Sequence, residues 1–155
     1  MKKLWIGATL LASVPVAAQG QPAAGPNPAT TAASPPARLS EAQANARRTP
    51  QFKRCMNSGD AARGVTMGMN NCLGAETKRQ DAKLNATYRR IMARQSTRGK
   101  TRLQMLQRAW IPERDATCKR ASDEARGGTL STILFSDCII TETIRRTAWL
   151  ERYRG

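Results

Sequence analysis

The chain has 155 residues, with 26 lysines and arginines against 11 acidic residues, four cysteines and no histidine. Without histidine there is no Ser-His-Asp triad, no Cys-His pair and no histidine-ligated zinc. The length fits one modest domain, and the formal net charge of +15 favours an anionic partner such as lipid headgroups, acidic glycans or nucleic acid. A hydrophobic fraction of 40% indicates a globular protein, and an aromatic fraction of 5% indicates a mainly aliphatic core.

The first 18 residues have the pattern of a secretory signal peptide. Lys2 and Lys3 precede an apolar stretch over residues 4–14, and small residues of the A-x-A type end at Ala18. The apolar stretch is too short to span a bilayer, so an uncleaved membrane anchor is the weaker alternative. We predict an exported protein, periplasmic or secreted, with no transmembrane segment after cleavage. Removing the two lysines from the 26 basic residues leaves 24 against 11 acidic ones, a mature charge of +13.

Residues 19–50 are predicted to form a disordered linker. Up to about Asn45 they are mostly Ala, Pro, Gly, Thr and Ser, and they hold five of the eight prolines. Such a composition buries too little apolar surface to offset the entropy of ordering the chain. We expect an extended, partly polyproline segment that leads into a folded domain over residues 51–155.

Three long helices are predicted in the folded domain, over residues 66–95, 101–125 and 130–152, because apolar residues recur there at helical spacing. Residues 96–99 and 126–128 break the pattern, with glycine where a helix C-cap favours a left-handed residue. Short connections make consecutive helices antiparallel. The predicted fold class is therefore all-α, a small up-and-down bundle of three long antiparallel helices with a short N-terminal segment.

The four cysteines are predicted to form two disulfides, as is usual in an exported protein. Residues equidistant from a tight turn lie side by side in an antiparallel hairpin, which places Cys118 level with Cys138 and leaves Cys55 to pair with Cys72. A four-cysteine zinc site is the weaker alternative because no C-x-x-C pair exists, and a catalytic thiol would lack a histidine partner. We predict that the two disulfides staple the bundle and that no cofactor or metal is bound.

The same register brings polar residues of all three long helices to about one height in the bundle. Each of them lies within about one helical turn of an inward apolar position, which favours a half-buried polar network that fixes helix register. Solvent-facing charge pairs are the alternative. The predicted network contains Asp81, Asn85, Trp110, Arg114, Asp115, Thr141 and Arg145.

Several spaced motifs follow one another between Cys55 and Leu150. They are C-x16-C, then D-x2-L-N-x2-Y from Asp81, Q-x2-W-x3-R-D-x2-C from Gln107, a Gly-Gly pair, and C-x2-T-x3-R from Cys138. This order of motifs resembles the lysozyme-inhibitor LprI-like domain family of bacterial envelope proteins. The resemblance implies a secreted, disulfide-bonded helical domain without enzymatic activity, and the family name implies inhibition of lysozyme.

A cluster of basic residues is predicted around the turn between the first two long helices. No acidic residue occurs between Asp81 and Glu113. A solvated face is the ordinary explanation of a charge run, but eight like charges repel one another, which favours a surface that binds an anion. The expected ligands are lipopolysaccharide phosphates, acidic phospholipids or anionic wall polymers, and nucleic acid is disfavoured by the compartment and the lack of an aromatic platform. The candidate patch consists of Lys83, Arg89, Arg90, Arg94, Arg98, Lys100, Arg102 and Arg108.

Three classes of function remain. The leading hypothesis is a non-enzymatic protein that binds and inhibits a lysozyme or the cell's own wall-lytic enzyme. The alternative is a cationic module that docks on anionic lipid or wall polymer through the basic hairpin tip. A hydrolase with paired carboxylates is the weakest, because Asp81 and Asp115 are the only near neighbours and Arg114 would keep both ionised.

Overall fold

The computed structural model describes residues 38–154. The predicted signal peptide and the predicted linker up to residue 37 lie outside this described part. Within it all regular structure is helical, and the predicted all-α fold class is confirmed. The six helices are α1 (Glu41–Ala46), α2 (Pro50–Met56), α3 (Gly59–Ala62), α4 (Thr66–Ala93), α5 (Thr97–Asp123) and α6 (Leu130–Glu151).

The connection between α4 and α5 is shorter than predicted, and the connection between α5 and α6 is longer because α5 ends at Asp123 rather than at residue 125. α5 begins at Thr97 rather than Thr101, because the Ser96 hydroxyl accepts a hydrogen bond from the backbone N–H of Gly99 at 3.2 Å and caps the helix. Gly99 is thus a helical residue, and the predicted break over residues 96–99 is corrected to a connection over residues 94–96. After α5, Gly127 has a φ of +89°, the left-handed conformation that favours glycine beyond a helix end.

The three long helices run up, down and up. The beginnings of α4 and α6 lie side by side, since the hydroxyls of Thr66 and Thr129 are 3.3 Å apart and Asn70 donates a hydrogen bond to Thr132 at 3.2 Å. α4 and α6 are therefore parallel, and α5 is antiparallel to both. α6 packs extensively against each of the other two, whereas α4 and α5 make few contacts with each other. The central helix is thus α6.

Two hydrophobic clusters fill the bundle. At the end where α4 and α6 begin, residues of α1, α2 and α3 pack on both helices; at the other end, α4, α5 and α6 meet directly. Leu103 in the second cluster is fully buried, and it is one of only two buried residues of α5. α5 is therefore the long helix with the fewest buried residues. The buried members of the second cluster are Leu84, Ile91, Leu103 and Leu150.

Both predicted disulfides are confirmed. Cys55 is bonded to Cys72 with a Cα–Cα distance of 5.7 Å, and Cys118 is bonded to Cys138 with a Cα–Cα distance of 5.3 Å. The first joins α2 to α4, and the second joins α5 to α6. Each closes a loop for which chain entropy predicts about 3 kcal/mol of stabilisation. We call the end that carries both bonds the stapled end.

The folded domain begins before residue 51. Residues 41–46 form a helix with a capping box, in which the side chains of Ser40 and Gln43 each accept a hydrogen bond from the other residue's backbone N–H. Ala44 is fully buried and Arg48 is 9% exposed. The predicted linker is therefore wrong over residues 38–50, because α1 and the segment after it contribute apolar surface and ion pairs to the bundle.

Candidate functional site

The residues of the predicted patch surround the connection between α4 and α5, and we call this surface the basic turn. All of its residues are exposed. Among the described residues, none of them forms an ion pair. The basic turn consists of Lys83, Arg89, Arg90, Arg94, Arg98, Lys100, Arg102 and Arg108.

Part of the basic turn lies where its charge is unfavourable for the fold. Arg90 lies in the last turn of α4, where a cation interacts well with the helix dipole. Arg98 and Lys100 lie at the beginning of α5, whose first turn has no acidic residue. Cations at a helix N-terminus face the positive end of the dipole, which costs about 0.3–1 kcal/mol each at an exposed site. The fold does not explain why these residues are basic.

The predicted polar network is not a single network, and this prediction is corrected. Arg114 lies in α5 and donates to its neighbour Asp115, with Nε 2.8 Å from Oδ1. On α4, Asn85 is exposed and Asp81 half-buried, and within the described part neither side chain forms a hydrogen bond. The physical reason is that α4 and α5 hardly contact each other, so residues level on these two helices do not meet.

The two network residues of α6 are fixed instead by the segment before α2. Thr141 accepts a hydrogen bond from Arg48 Nη2 at 3.1 Å, and the same nitrogen donates to Asp137 Oδ2 at 2.9 Å. Arg145 donates from Nε to the Leu39 carbonyl at 3.0 Å. These contacts hold the N-terminal segment on α6, and the sequence did not predict them because the composition before residue 45 is typical of a linker.

The most deeply buried ionisable side chain is Glu76 of α4, with no exposed surface. It accepts hydrogen bonds from the Thr49 backbone N–H at 2.9 Å, from Gln80 Nε2 at 2.8 Å and from Arg79 Nε at 2.9 Å. Burial on its own would raise the pKa of Glu76, but the hydrogen bonds from Gln80, Thr49 and Arg79 outweigh it and hold the pKa below 4.5. Glu76 thus fastens the N-cap of α2 to α4 as a structural carboxylate.

Trp110, the remaining residue of the predicted network, belongs to a stack of aromatic and guanidinium groups between α5 and α6. The guanidinium carbons of Arg114 and Arg146 lie 5.1 and 5.4 Å from the centre of its ring. Arg146 also lies 4.0 Å from the ring of Trp149, which contacts Tyr153 with ring centroids 5.1 Å apart. Distances below about 6 Å are typical of cation–π contacts. This stack lines a groove of about 310 Å³.

Groups of possible metal ligands and the predicted carboxylate pair were compared with the structure of the described residues. They contain no group of three or more Asp, Glu, Cys or His side chains that could hold a metal ion. Asp115 is paired with Arg114, and neither Asp81 nor Asp115 lines the groove between α5 and α6 or the neighbouring cavity beside Asp137 and Thr141. No helix in the described part is long and apolar enough to cross a membrane.

The fold and surfaces define a small, disulfide-stapled helical protein with charged and aromatic side chains at its surface. Comparison with known proteins identifies its family. The lysozyme inhibitor LprI family matches residues 55–150, from the first cysteine through nearly all of α6. The chain belongs to this family, as its motifs predicted.

An uncharacterised protein of Rhizobium meliloti (strain 1021) is 36% identical over 98 residues, which cover 55% of this chain and 70% of the relative. No solved structure matches the chain significantly. The family description therefore suggests a class of function, and the basic turn and the groove between α5 and α6 are the candidate binding surfaces.

Proposed function

We propose that this protein is an exported, non-enzymatic inhibitor that binds a lysozyme or another peptidoglycan-lytic enzyme as a protein partner. The single observation that carries the proposal is the membership of residues 55–150 in a lysozyme-inhibitor family. The basic turn is the contact surface in this proposal. Its exposed cations have no partner among the described residues, and some lie where they cost the fold stability.

The chemistry of the target supports the choice of surface. Glycoside hydrolases generally cleave their substrate with a pair of carboxylic acids that flank the scissile bond. Arginines match carboxylates in geometry as well as charge, because the guanidinium fork donates two parallel hydrogen bonds. A protruding helical turn rich in arginine therefore complements an acidic catalytic cleft.

The scaffold supports tight binding by this surface. Both helices that carry the basic turn are long, and Leu84, Ile91 and Leu103 form a buried apolar cluster beneath it. A surface held rigid before binding loses less conformational entropy when the complex forms. This preorganisation is what an inhibitor of small size requires.

Charge limits the choice of enzyme. The mature chain carries +13 if residues 1–18 are removed, and a strongly cationic lysozyme would be repelled at long range, which slows association. We therefore expect stronger inhibition of neutral or acidic lytic enzymes, with an association rate that falls as salt is added.

The test is a titration of purified protein into a panel of lysozymes and lytic transglycosylases of different net charge, with wall lysis as the readout. The proposal predicts saturable, stoichiometric inhibition of at least one enzyme, strongest for the less basic ones. A large excess of protein that leaves every enzyme fully active would refute it.

The basic turn also favours a second candidate, a module that docks on anionic lipid or wall polymer. Vesicles with and without acidic phospholipid, and purified anionic wall polymer, separate the two functions. Salt-sensitive binding to these materials without enzyme inhibition would favour docking. Inhibition in solution, with no polymer or lipid present, would favour the inhibitor.

A further inference from the structure

The groove between α5 and α6 is a second charged surface, separate from the basic turn. None of the eight basic-turn residues lines the groove, although Arg108 lies only two residues before Trp110 in α5. The wall of the groove contains five arginines, two glutamates and two tryptophans. It is therefore cationic and amphipathic at once, a combination that the sequence motifs did not indicate as a site.

Most of the charges in the groove already have partners. Arg38 and Arg145 both pair with Glu142, and Arg114 pairs with Asp115. Such pairs satisfy the guanidinium groups and leave little free charge for a ligand.

Arg146 is different, because all its hydrogen-bond partners are neutral. Its Nε donates to the Gln107 side-chain oxygen at 2.9 Å and its Nη2 to the Leu106 carbonyl at 2.8 Å. Within the described part, Nη1 has no hydrogen-bond partner, and Glu113 acts on Arg146 only through space, without an ion pair. Arg146 thus carries a half-buried positive charge without a counterion.

The surroundings of Arg146 make this lack of a counterion costly. Burial lowers the pKa of Arg146 to about 10, and the charge of Glu113 only partly opposes this effect. Two neutral hydrogen bonds and the rings of Trp110 and Trp149 replace only part of the hydration that this half-buried guanidinium loses, because no carboxylate of the described residues pairs with it. A bound anion would supply both the counter charge and an acceptor for Nη1.

We propose that the groove between α5 and α6 binds one carboxylate-bearing small ligand, with Arg146 as the group that anchors the carboxylate. A monovalent anion matches the charge of Arg146, which forms no ion pair among the described residues. The groove volume of about 310 Å³ lies at the lower end of the range for small-molecule sites, enough for a monosaccharide or a dipeptide. The proposal does not depend on the inhibitor function, since it concerns a different surface.

The carboxylate can belong to a sugar or to a peptide end, and matched probes distinguish these sources. The sugar pair is N-acetylmuramic acid and N-acetylglucosamine, which lacks the carboxylate. The peptide pair is N-acetylalanine and its amide. Each is titrated into the intact chain, with the indole N–H signals of Trp110 and Trp149 followed by NMR and assigned through Trp110→Phe and Trp149→Phe.

We expect at least one of the two carboxylates to shift both indole signals saturably, and its neutral counterpart to leave them unchanged. Arg146→Gln should weaken that binding about tenfold or more, the loss expected for a charge-assisted hydrogen bond. Arg90→Gln, which removes an exposed arginine of the basic turn, should leave it unchanged.

The proposal is overturned if neither carboxylate shifts the indole signals, or if the neutral counterparts or inorganic phosphate bind as tightly. If Arg146→Gln does not fold, the comparison of each carboxylate with its neutral counterpart in the unaltered chain still decides the question. Binding of only one member of the two carboxylate sources supports the proposal and identifies the source.

Discussion

The stapled end and the basic turn are built on opposite principles. At the stapled end, two disulfides, the buried carboxylate of Glu76 and the packing of α1, α2 and α3 fix the chain. At the basic turn, exposed cations have no partner in the described part, and a small apolar cluster lies beneath them. Because the stabilising contacts are concentrated at one end, the other end can carry charge that the fold does not favour.

The largest expected effect on stability is the loss of a disulfide at the stapled end. Replacing Cys118 and Cys138 by serine together should lower the free energy of unfolding by about 3 kcal/mol, because the bond closes a loop in the unfolded chain and anchors α5. Denaturant unfolding of the oxidised proteins measures the change. A loss below about 1 kcal/mol would show that α5 is held mainly by packing.

Glu76 gives the next largest effect. Glu76→Gln keeps the size of the side chain but replaces one acceptor oxygen by a donor amide that faces other donors, so unfolding should become easier by about 2 kcal/mol. Glu124→Gln, an exposed change at the end of α5, is the matched control and should change stability by less than about 0.5 kcal/mol. Equal effects of the two substitutions would contradict the structural role of Glu76.

The same carboxylate predicts an acid dependence of stability. The pKa of Glu76 lies below its ordinary value of 4.5 in the folded protein, so its stabilisation is fully present above about pH 4.5 and is lost as the pH falls through the folded pKa. The free energy of unfolding should therefore fall more steeply between neutral pH and about pH 3 for the unaltered protein than for Glu76→Gln. An equal fall in both proteins would show that other carboxylates are responsible for the loss of stability in acid.

The smallest expected effect has the opposite sign. Arg98→Glu places an acidic residue in the first turn of α5 and should stabilise the protein by about 0.3–1 kcal/mol. Lys83→Glu, an exposed change far from the ends of α4, is the control for charge reversal without a helix end. If Arg98→Glu destabilises the protein more than this control, the basic turn stabilises the fold rather than serving a partner.

Sequence reasoning succeeded where the two helices that a connection joins also pack on each other. α5 packs extensively on α6, so counting outwards from Gly127 paired Cys118 with Cys138 correctly. Counting from the connection between α4 and α5 failed for Asp81 and Arg114, since those helices are joined by a turn but do not pack on each other. Counting from a turn predicts which residues of two helices lie level, but these residues meet only where the two helices pack on each other.

The sequence did not predict α1, the burial of Glu76 or the surroundings of Arg146. Ser40 and Gln43 have the capping-box spacing that indicates the beginning of α1, but the surrounding Ala- and Pro-rich composition favoured a linker. Nothing local distinguishes Glu76 from an exposed helical glutamate, because its burial depends on Thr49, which is distant in sequence. Arg146 likewise has neutral hydrogen-bond partners only because α6 packs on α5, which brings Leu106 and Gln107 to it.

Two charge-reversal variants with the same change in net charge test whether the basic turn is the inhibitory surface. The reversal variant changes Arg90, Arg94, Arg98 and Arg102 to glutamate. The matched control makes the same change in net charge with four exposed basic residues elsewhere, Lys53, Arg54, Lys78 and Arg154.

Both variants and the unaltered protein are titrated against the most strongly inhibited enzyme at one fixed salt concentration. The account predicts that the reversal variant needs at least about tenfold more protein for half-inhibition, the loss of roughly one strong ion pair, while the control stays within about threefold of the unaltered protein. Full inhibition by the folded reversal variant, or equal losses in both variants, would contradict it.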